Sequence, residues 1–452
     1  MFARYLVQAT AQVLQRLLRF DGPADITLTQ FQRENPKLGS RDRFQIANAS
    51  FAALRFLPLL RHMEGLDAKS PETKSCERLA VLALAMDKHG PINLPVTAAQ
   101  IAAILQTAID NLPDPEQQVW LSASMQANAH FNEPDTAALQ HNLPQWLAQA
   151  LQAQYGETAF VALSHALKQS ATLDLRANLL THKRNAVAKE LQEQGIECTA
   201  TPYSPWGIRI QGKPSLRQNP LMNSGAIEVQ DEGSQLLALL TGAKRGETVV
   251  DFCAGAGGKT LAMGAMMRNT GRLYALDNSA HRLDGLQPRL KRSGLSNVHT
   301  LVLQSETDER LSRLRGKADR VLVDAPCSGL GTLRRHPELA WRNQPASIEA
   351  LQQTQMRILE SAASLLKPGG ILVYATCSLL EQENEAVNRW FTTSHAREFA
   401  PLDWSETLQK HDLQGLQTSA DQTPALASNA IMLMPHLHHT DGFYLARWQR
   451  AR

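Results

Sequence analysis

The run TVVDFCAGAGGKT, residues 248–260, reads as a β-strand that passes straight into a glycine-rich turn and then into a helix. Gly255, Gly257 and Gly258 permit a tight turn and close backbone approach to a ligand, and the helix that follows presents free amide groups at its first turn. The same strand-then-small-residue pattern recurs four times downstream, in GRLYALDNS (271–279), NVHTLVLQS (297–305), ADRVLVDAPC (318–327) and GGILVYATCS (369–378). Strands alternating with helical stretches predict a doubly wound, mostly parallel sheet over residues 236–452, with ligands at the carboxyl ends of the strands. The segment from about 395 to 430 is polar and irregular and reads as a surface insertion before a last strand pair, IMLMPHLHHTDGFYLARW (431–448).

Two nucleotide-binding readings of the glycine loop are tested by spacing. A phosphate-binding P-loop needs G-x-x-x-x-G-K-[ST]; Gly258, Lys259 and Thr260 fit its end, but its first glycine would fall on Cys253, so this reading fails. A dinucleotide fingerprint, G-x-G-x-x-G, fails because Gly258 arrives too early. A different adenosine-containing cofactor fits better. Asp277, at the end of the second strand, is placed to accept hydrogen bonds from ribose hydroxyls.

The fourth and fifth strands each finish on a cysteine. Asp324-Ala325-Pro326-Cys327 sets a carboxylate beside a thiol, and Ala375-Thr376-Cys377-Ser378 supplies a second thiol at what should be a neighbouring strand end. Buried cysteines are usually inert, which is the expectation for Cys76 and Cys198. Two thiols facing a cofactor loop point to chemistry.

Upstream, residues 1–144 read as an all-helical bundle. Leu6, Val13 and Leu17 share one face; Phe44, Ala47, Phe51 and Leu54 share another, on a helix that Ser40 is expected to cap, and Ser70 and Pro71 are expected to open a third. Residues 145–235 read as a small α+β unit: a helix in LPQWLAQALQAQYG, a strand in LDLRANLL, a helix in NAVAKELQEQG, and strands in ECTATPY and GIRIQG. Lys183, Arg184, Arg209 and Arg217 are candidates for phosphate contact there.

DFCAGAGGKT, DAPCSGLGTLRRHPELAW and KPGGILVYATCS together resemble the Sun (Fmu) family of RNA (cytosine-5) methyltransferases. With the helical N-terminal region, part of which (LGSRDRFQIANASFAALR) resembles a NusB-like RNA-binding domain, the chain is most similar to the bacterial members acting on small-subunit (16S) ribosomal RNA. The resemblance implies an α/β, Rossmann-like methyltransferase domain preceded by a small α+β RNA-binding subdomain and an all-helical NusB-like domain. It implies S-adenosyl-L-methionine as methyl donor, held by Cys253, Ala254, Gly255, Gly257, Gly258, Lys259, Asp277, Arg282 and Asp324. Where the family has an aspartate after its third strand this chain has QSETDER, so Glu306 or Asp308 must serve. By the same resemblance Cys377 is the nucleophile, Cys327 assists product release and Asp324 binds the base edge, while Arg334, Arg335 and His336 are candidates to grip RNA phosphates. Transfer to a tRNA or another RNA, transfer to DNA with Cys327 as nucleophile, and a non-catalytic role in ribosome assembly are the competing readings.

Composition agrees with this class. The 452 residues, 43% hydrophobic and 20% charged, are those of a globular chain with two or three domains, and the net charge of +3 permits a nucleic-acid partner without requiring one. No run reaches the roughly 18 apolar residues of a membrane span, so a cytoplasmic location is expected. Five scattered cysteines with no C-x-x-C pair argue against a disulfide framework or a zinc site, and the histidines at 436, 438 and 439 lack the companions a metal would need. A monomer with ribosomal RNA as partner, and with no membrane or metal partner, is the expectation.

Overall fold

The computed structural model describes residues 2–65, 72–90, 92, 94, 96–112, 115–128, 139, 141–212, 214–417 and 426–452. It divides into two compact units, Met1–Gln169 with Leu333–Gln344, and Ser170–Thr332 with Pro345–Arg452. The boundaries expected from sequence lie at 144 and 235.

The first unit is helical: α1 (Arg4–Leu17), α2 (Ala24–Glu34), α3 (Ser40–Arg55), α4 (Leu57–Glu64), α5 (Glu72–His89), α6 (Ala98–Asn111), α7 (Pro115–Asn128) and a long helix, Gln145–Lys168, interrupted at Gly156. Helix α5 buries every residue from Leu79 to Met86, as a helix surrounded by others must, whereas α1 buries the single stripe that contains Leu6, Val13 and Leu17. On α3 the buried stripe is Ile46, Ala49, Ala53 and Leu54, and Phe44 is 54% exposed, so the expected face is displaced. The aromatic residues suggested the stripe, but smaller Ile and Ala side chains allow closer packing. Ser40 is the first helical residue rather than the cap; Gly39 precedes it, and its N–H donates to the Asp42 carboxylate (3.2 Å). The cap expected at Ser70 and Pro71 lies outside the described residues. Segment Leu333–Gln344 packs into this unit: the Trp341 Nε1–H donates to the Leu54 carbonyl (2.8 Å), the Ala24 N–H to Glu338 (3.2 Å) and Arg55 to the Arg334 carbonyl (2.9 Å).

The second unit holds two sheets. Strands β1 (Leu173–Ala177), β2 (Cys198–Ala200), β3 (Gly207–Ile210) and β4 (Ile227–Val229) form an antiparallel sheet in the order β2-β3-β1-β4. β4 was not read from the sequence, because three residues before a helix carry no period. Arg209, a candidate for phosphate contact, instead donates to buried Asp174 (2.8 and 3.0 Å) and pairs with Glu232 (3.4 Å).

The larger sheet contains β5 (Thr248–Asp251), β6 (Arg272–Asp277), β7 (Val298–Val302), β8 (Ala318–Asp324), β9 (Leu366–Thr376), β10 (Phe399–Pro401), β11 (Ala430–Leu433) and β12 (Phe443–Arg450). Its order is β10-β12-β9-β8-β5-β6-β7, with β11 paired to β12. The five expected strands are β5 to β9, all parallel, and β12 closes the sheet antiparallel to β9. The order reverses direction at β5, so the crevice at the carboxyl ends of β5 and β8 is where a ligand belongs. Within 395–430 the described residues are not a mere surface insertion: they supply β10, the helix Ser405–Lys410 and buried side chains that include Phe399, Trp404, Leu408, Leu413 and Leu416.

Asp174 is 1% exposed and holds the largely covered Arg209 side chain, so Asp174→Ala leaves that guanidinium with Glu232 alone as its charge partner at 3.4 Å. It is expected to lower unfolding free energy by about 3 kcal/mol, read as a fall in the urea midpoint.

Candidate active site

In the parallel register of β8 and β9, Asp324 stands opposite Ala375, and the Ala325 N–H donates to the Ala375 carbonyl (2.9 Å). Both chains then turn away from the sheet at the same level. Cys327 and Cys377 therefore meet, with sulphurs 3.3 Å apart, and the Cys377 N–H also points at the Cys327 sulphur (3.3 Å). The next turns are in contact as well: the Gly331 N–H donates to the Cys377 carbonyl (2.8 Å), and a methyl group on Gly331 would lie 2.1 Å from the Gly442 carbonyl oxygen. The Cys327 thiol is pushed well above its usual range by its hydrogen bond to Cys377, by burial, and by the charges of Cys377 and Glu383.

Lys259, which imitates the end of a P-loop, reaches across to Asp324, with Nζ to Oδ2 at 2.6 Å. Burial opposes its charge, but Asp324 outweighs that and holds the ammonium above its ordinary pKa. The lysine orients the carboxylate beside the two thiols. Cys253 lies in the same crevice, its thiol raised far out of the reactive range by burial and by Asp324, Asp251 and Asp277.

The glycine loop is held at both ends. Gly257 has φ of +81° and caps the helix Gly258–Met266; a methyl group there would lie 2.2 Å from Leu286 Cδ1. Gly255 has φ of +55° and open space where a side chain would project, a cradle for a ligand. One Asp277 oxygen accepts the Gly255 N–H and the other the Ser279 N–H, each at 2.8 Å, which ties the ends of β5 and β6 together. The Ala254 N–H donates to the Leu276 carbonyl (2.8 Å), and Arg282 stands exposed at the start of the next helix. Asp251 is wholly buried; Thr260 donates to one oxygen (2.6 Å), and burial lifts its carboxyl to about 7.

Two arginines brace the loop from behind, and the sequence did not single them out. Arg176 on β1 donates to the Gly258 carbonyl (2.6 Å) and to Gln230 (2.7 Å). Arg289 holds the Ala256 carbonyl and is fixed by Glu228 on β4 (3.0 and 2.8 Å). Their partners come from separate parts of the chain, so no local motif reveals them.

The other candidates differ in pairing and exposure. Glu306 is paired with Arg357 (2.7 Å), which lowers its pKa. Asp308 accepts from Arg310 and from the backbone of Gln304 and Arg310, bonds that hold it well below the ordinary carboxylate range and cap a short helix. Arg334 is only 7% exposed, so it is packed rather than displayed; Arg335 and His336 are half-buried. His436 is half-buried and His438 buried, burial lowers both to about 4, and the His438 Nδ1 accepts the Met434 N–H (2.8 Å). Among the described residues no cluster of three side chains could hold a metal ion, and no helix is long and apolar enough to cross a membrane.

A parallel sheet with this strand order, an acid closing the second strand and an open glycine cradle defines a Rossmann-like methyltransferase dependent on S-adenosylmethionine, and the cradle and Asp277 fit that cofactor. Residues 238–449 match the family model described as 16S rRNA methyltransferase RsmB/F, and residues 143–217 match the ferredoxin-like domain of RsmF/B-like methyltransferases. A probable ribosomal RNA small subunit methyltransferase B of Synechocystis is 36% identical over 69% of this chain and 68% of its own. The ribosomal RNA small subunit methyltransferase B of Erwinia tasmaniensis is 26% identical over 91% of each. Among solved structures, PH0851 superposes with a TM-score of 0.75 over 99% of both chains at 24% identity. A methyltransferase homologue from Pyrococcus horikoshii gives 0.59 at 29% identity, covering 69% of this chain and 97% of its own. The chain belongs to the RsmB/F methyltransferase family.

Gly257→Ala is expected to weaken S-adenosylmethionine binding, measured by calorimetry, about tenfold or more. Adding Leu286→Ala removes the clash but not the left-handed backbone cost of about 1 kcal/mol, so affinity should recover only in part. Parental affinity in Gly257→Ala would show that the loop does not hold the cofactor.

Proposed function

We propose that this chain transfers a methyl group to carbon 5 of a cytosine in small-subunit (16S) ribosomal RNA through a covalent bond between Cys377 and the base. The observation that carries this reading is the meeting of two thiols at 3.3 Å beside a carboxylate oriented by Lys259. The names of the relatives support the substrate. Bound in the glycine cradle, S-adenosylmethionine supplies an electrophilic methyl group.

Carbon 5 of cytosine is a weak nucleophile. Addition of the Cys377 thiolate to carbon 6 turns the ring into an enamine whose carbon 5 can form the new bond. Asp324, steadied through one oxygen by Lys259, takes the amino edge of the base with the other.

Cys327 holds its proton at rest because of the sulphur next to it. Once Cys377 is bonded to carbon 6 its sulphur carries no charge, and the principal reason for the elevation disappears. Cys327 can then lose its proton to water and remove the hydrogen on carbon 5. That electron pair restores the ring double bond and expels Cys377.

The base must leave its stack to reach two recessed thiols, so a loop or single strand is the target. The helical region, read as NusB-like, and the partly open Arg335 and His336 are assigned to RNA contact.

Cys377→Ala is expected to abolish methylation, and Cys327→Ala to accumulate a covalent protein–RNA adduct visible as a denaturant-resistant band. Bisulfite sequencing of ribosomal RNA from cells with and without the protein identifies the base. Full turnover by Cys377→Ala would overturn the assignment.

A further inference from the structure

Glu383 lies in LLEQENEAV, a run that reads as an ordinary charged helix start, yet it is fully buried. Four donors converge on its carboxylate. Ser328 donates through its N–H (2.8 Å) and its hydroxyl (2.5 Å), the Ser378 hydroxyl donates to the same oxygen as the Ser328 hydroxyl, and Gln355 donates to the other (3.0 Å). Each of these partners is neutral, so none of the four is a counter-ion to the carboxylate. Its backbone carbonyl takes the Tyr374 hydroxyl (2.6 Å), which anchors it to β9.

The two serines are the residues that directly follow Cys327 and Cys377. Gln355 also donates to the Pro326 carbonyl (3.0 Å), on the other side of Cys327, and Asn384 accepts from Thr376 (2.6 Å) and donates to the Ser378 carbonyl (3.0 Å) around Cys377. Both thiol-bearing turns are thus gripped from one point. A buried carboxylate held only by neutral groups is costly to keep charged, and this one braces the turns of two thiols in contact with each other.

We propose that Glu383 is a positioning residue for both cysteines: it sets the separation of their sulphurs, and its charge favours the proton on Cys327. This rests on the reading of the cysteines given above. Glu383 bonds directly to neither sulphur and acts through Ser328 and Ser378. Its field is among the causes that raise the Cys327 thiol, after the Cys377 hydrogen bond, burial and the Cys377 charge.

The test uses Glu383→Gln, which keeps shape and removes charge, and Ser328→Ala/Ser378→Ala, which keeps the charge and removes both hydroxyl links. Labelling of each cysteine by iodoacetamide is followed across pH by mass spectrometry, without RNA or cofactor. In Glu383→Gln the midpoint for Cys327 should fall by roughly one unit. In the double serine variant kcat should drop on the order of tenfold or more while KM for S-adenosylmethionine is unchanged. A parental Cys327 midpoint together with parental kcat in Glu383→Gln overturns the inference. If Glu383→Gln does not fold, a parental kcat in the double serine variant overturns it. Methylation by Cys377→Ala would instead remove the mechanism, and the labelling arm would still report on Glu383.

Discussion

The register between β8 and β9 is the constraint on which the site depends. Parallel strands fix which residues stand level, and a shift of one position would turn every side chain to the opposite face. With Asp324 opposite Ala375, the two turns that leave the sheet start at one height, and the sulphurs come within contact. The close approach at Gly331, where even a methyl group would strike the Gly442 carbonyl, keeps the turns from separating. Neither cysteine has a special environment of its own; the pairing of the strands creates it.

That pairing was half legible in the sequence. Runs such as VLVDAPC and LVYATC announce buried parallel strands, because both faces are covered and the apolar residues need not alternate. The glycine loop and Asp277 were legible for a similar reason, since a tight turn and a strand-end acid are local features. What stayed hidden depends on partners distant in the chain. Glu383 looks like a surface acid until Ser328 closes over it, and Arg209 looks like a phosphate ligand until Asp174 takes it. Glu306 and Asp308 could not be separated by spacing, and both carboxylates are engaged by arginines. Phe44 misled for another reason: size marked it as core, while the helix buries the smaller Ile46 and Ala49 stripe.

The small antiparallel sheet is more than a neighbour of the methyltransferase fold. Arg176 on β1 and Arg289, held by Glu228 on β4, each bind a carbonyl of the glycine loop after β5. Both carbonyls belong to a glycine-rich segment with little side-chain packing of its own. Its shape is therefore imposed from outside, through the two arginines that join it to the small sheet.

The placement of Leu333–Gln344 bears on how the protein is made. These residues follow the Cys327 turn in sequence but complete the helical unit, where Trp341 and Glu338 satisfy backbone groups of α3 and α2. A ribosome delivers residues 1–169 well before residue 333 emerges. The bundle must wait, part of its surface uncovered, until most of the second unit has been synthesised, so the two units cannot mature as independent beads on a string. Cutting the gene at the apparent boundary after Gln169 would yield a bundle without its last piece.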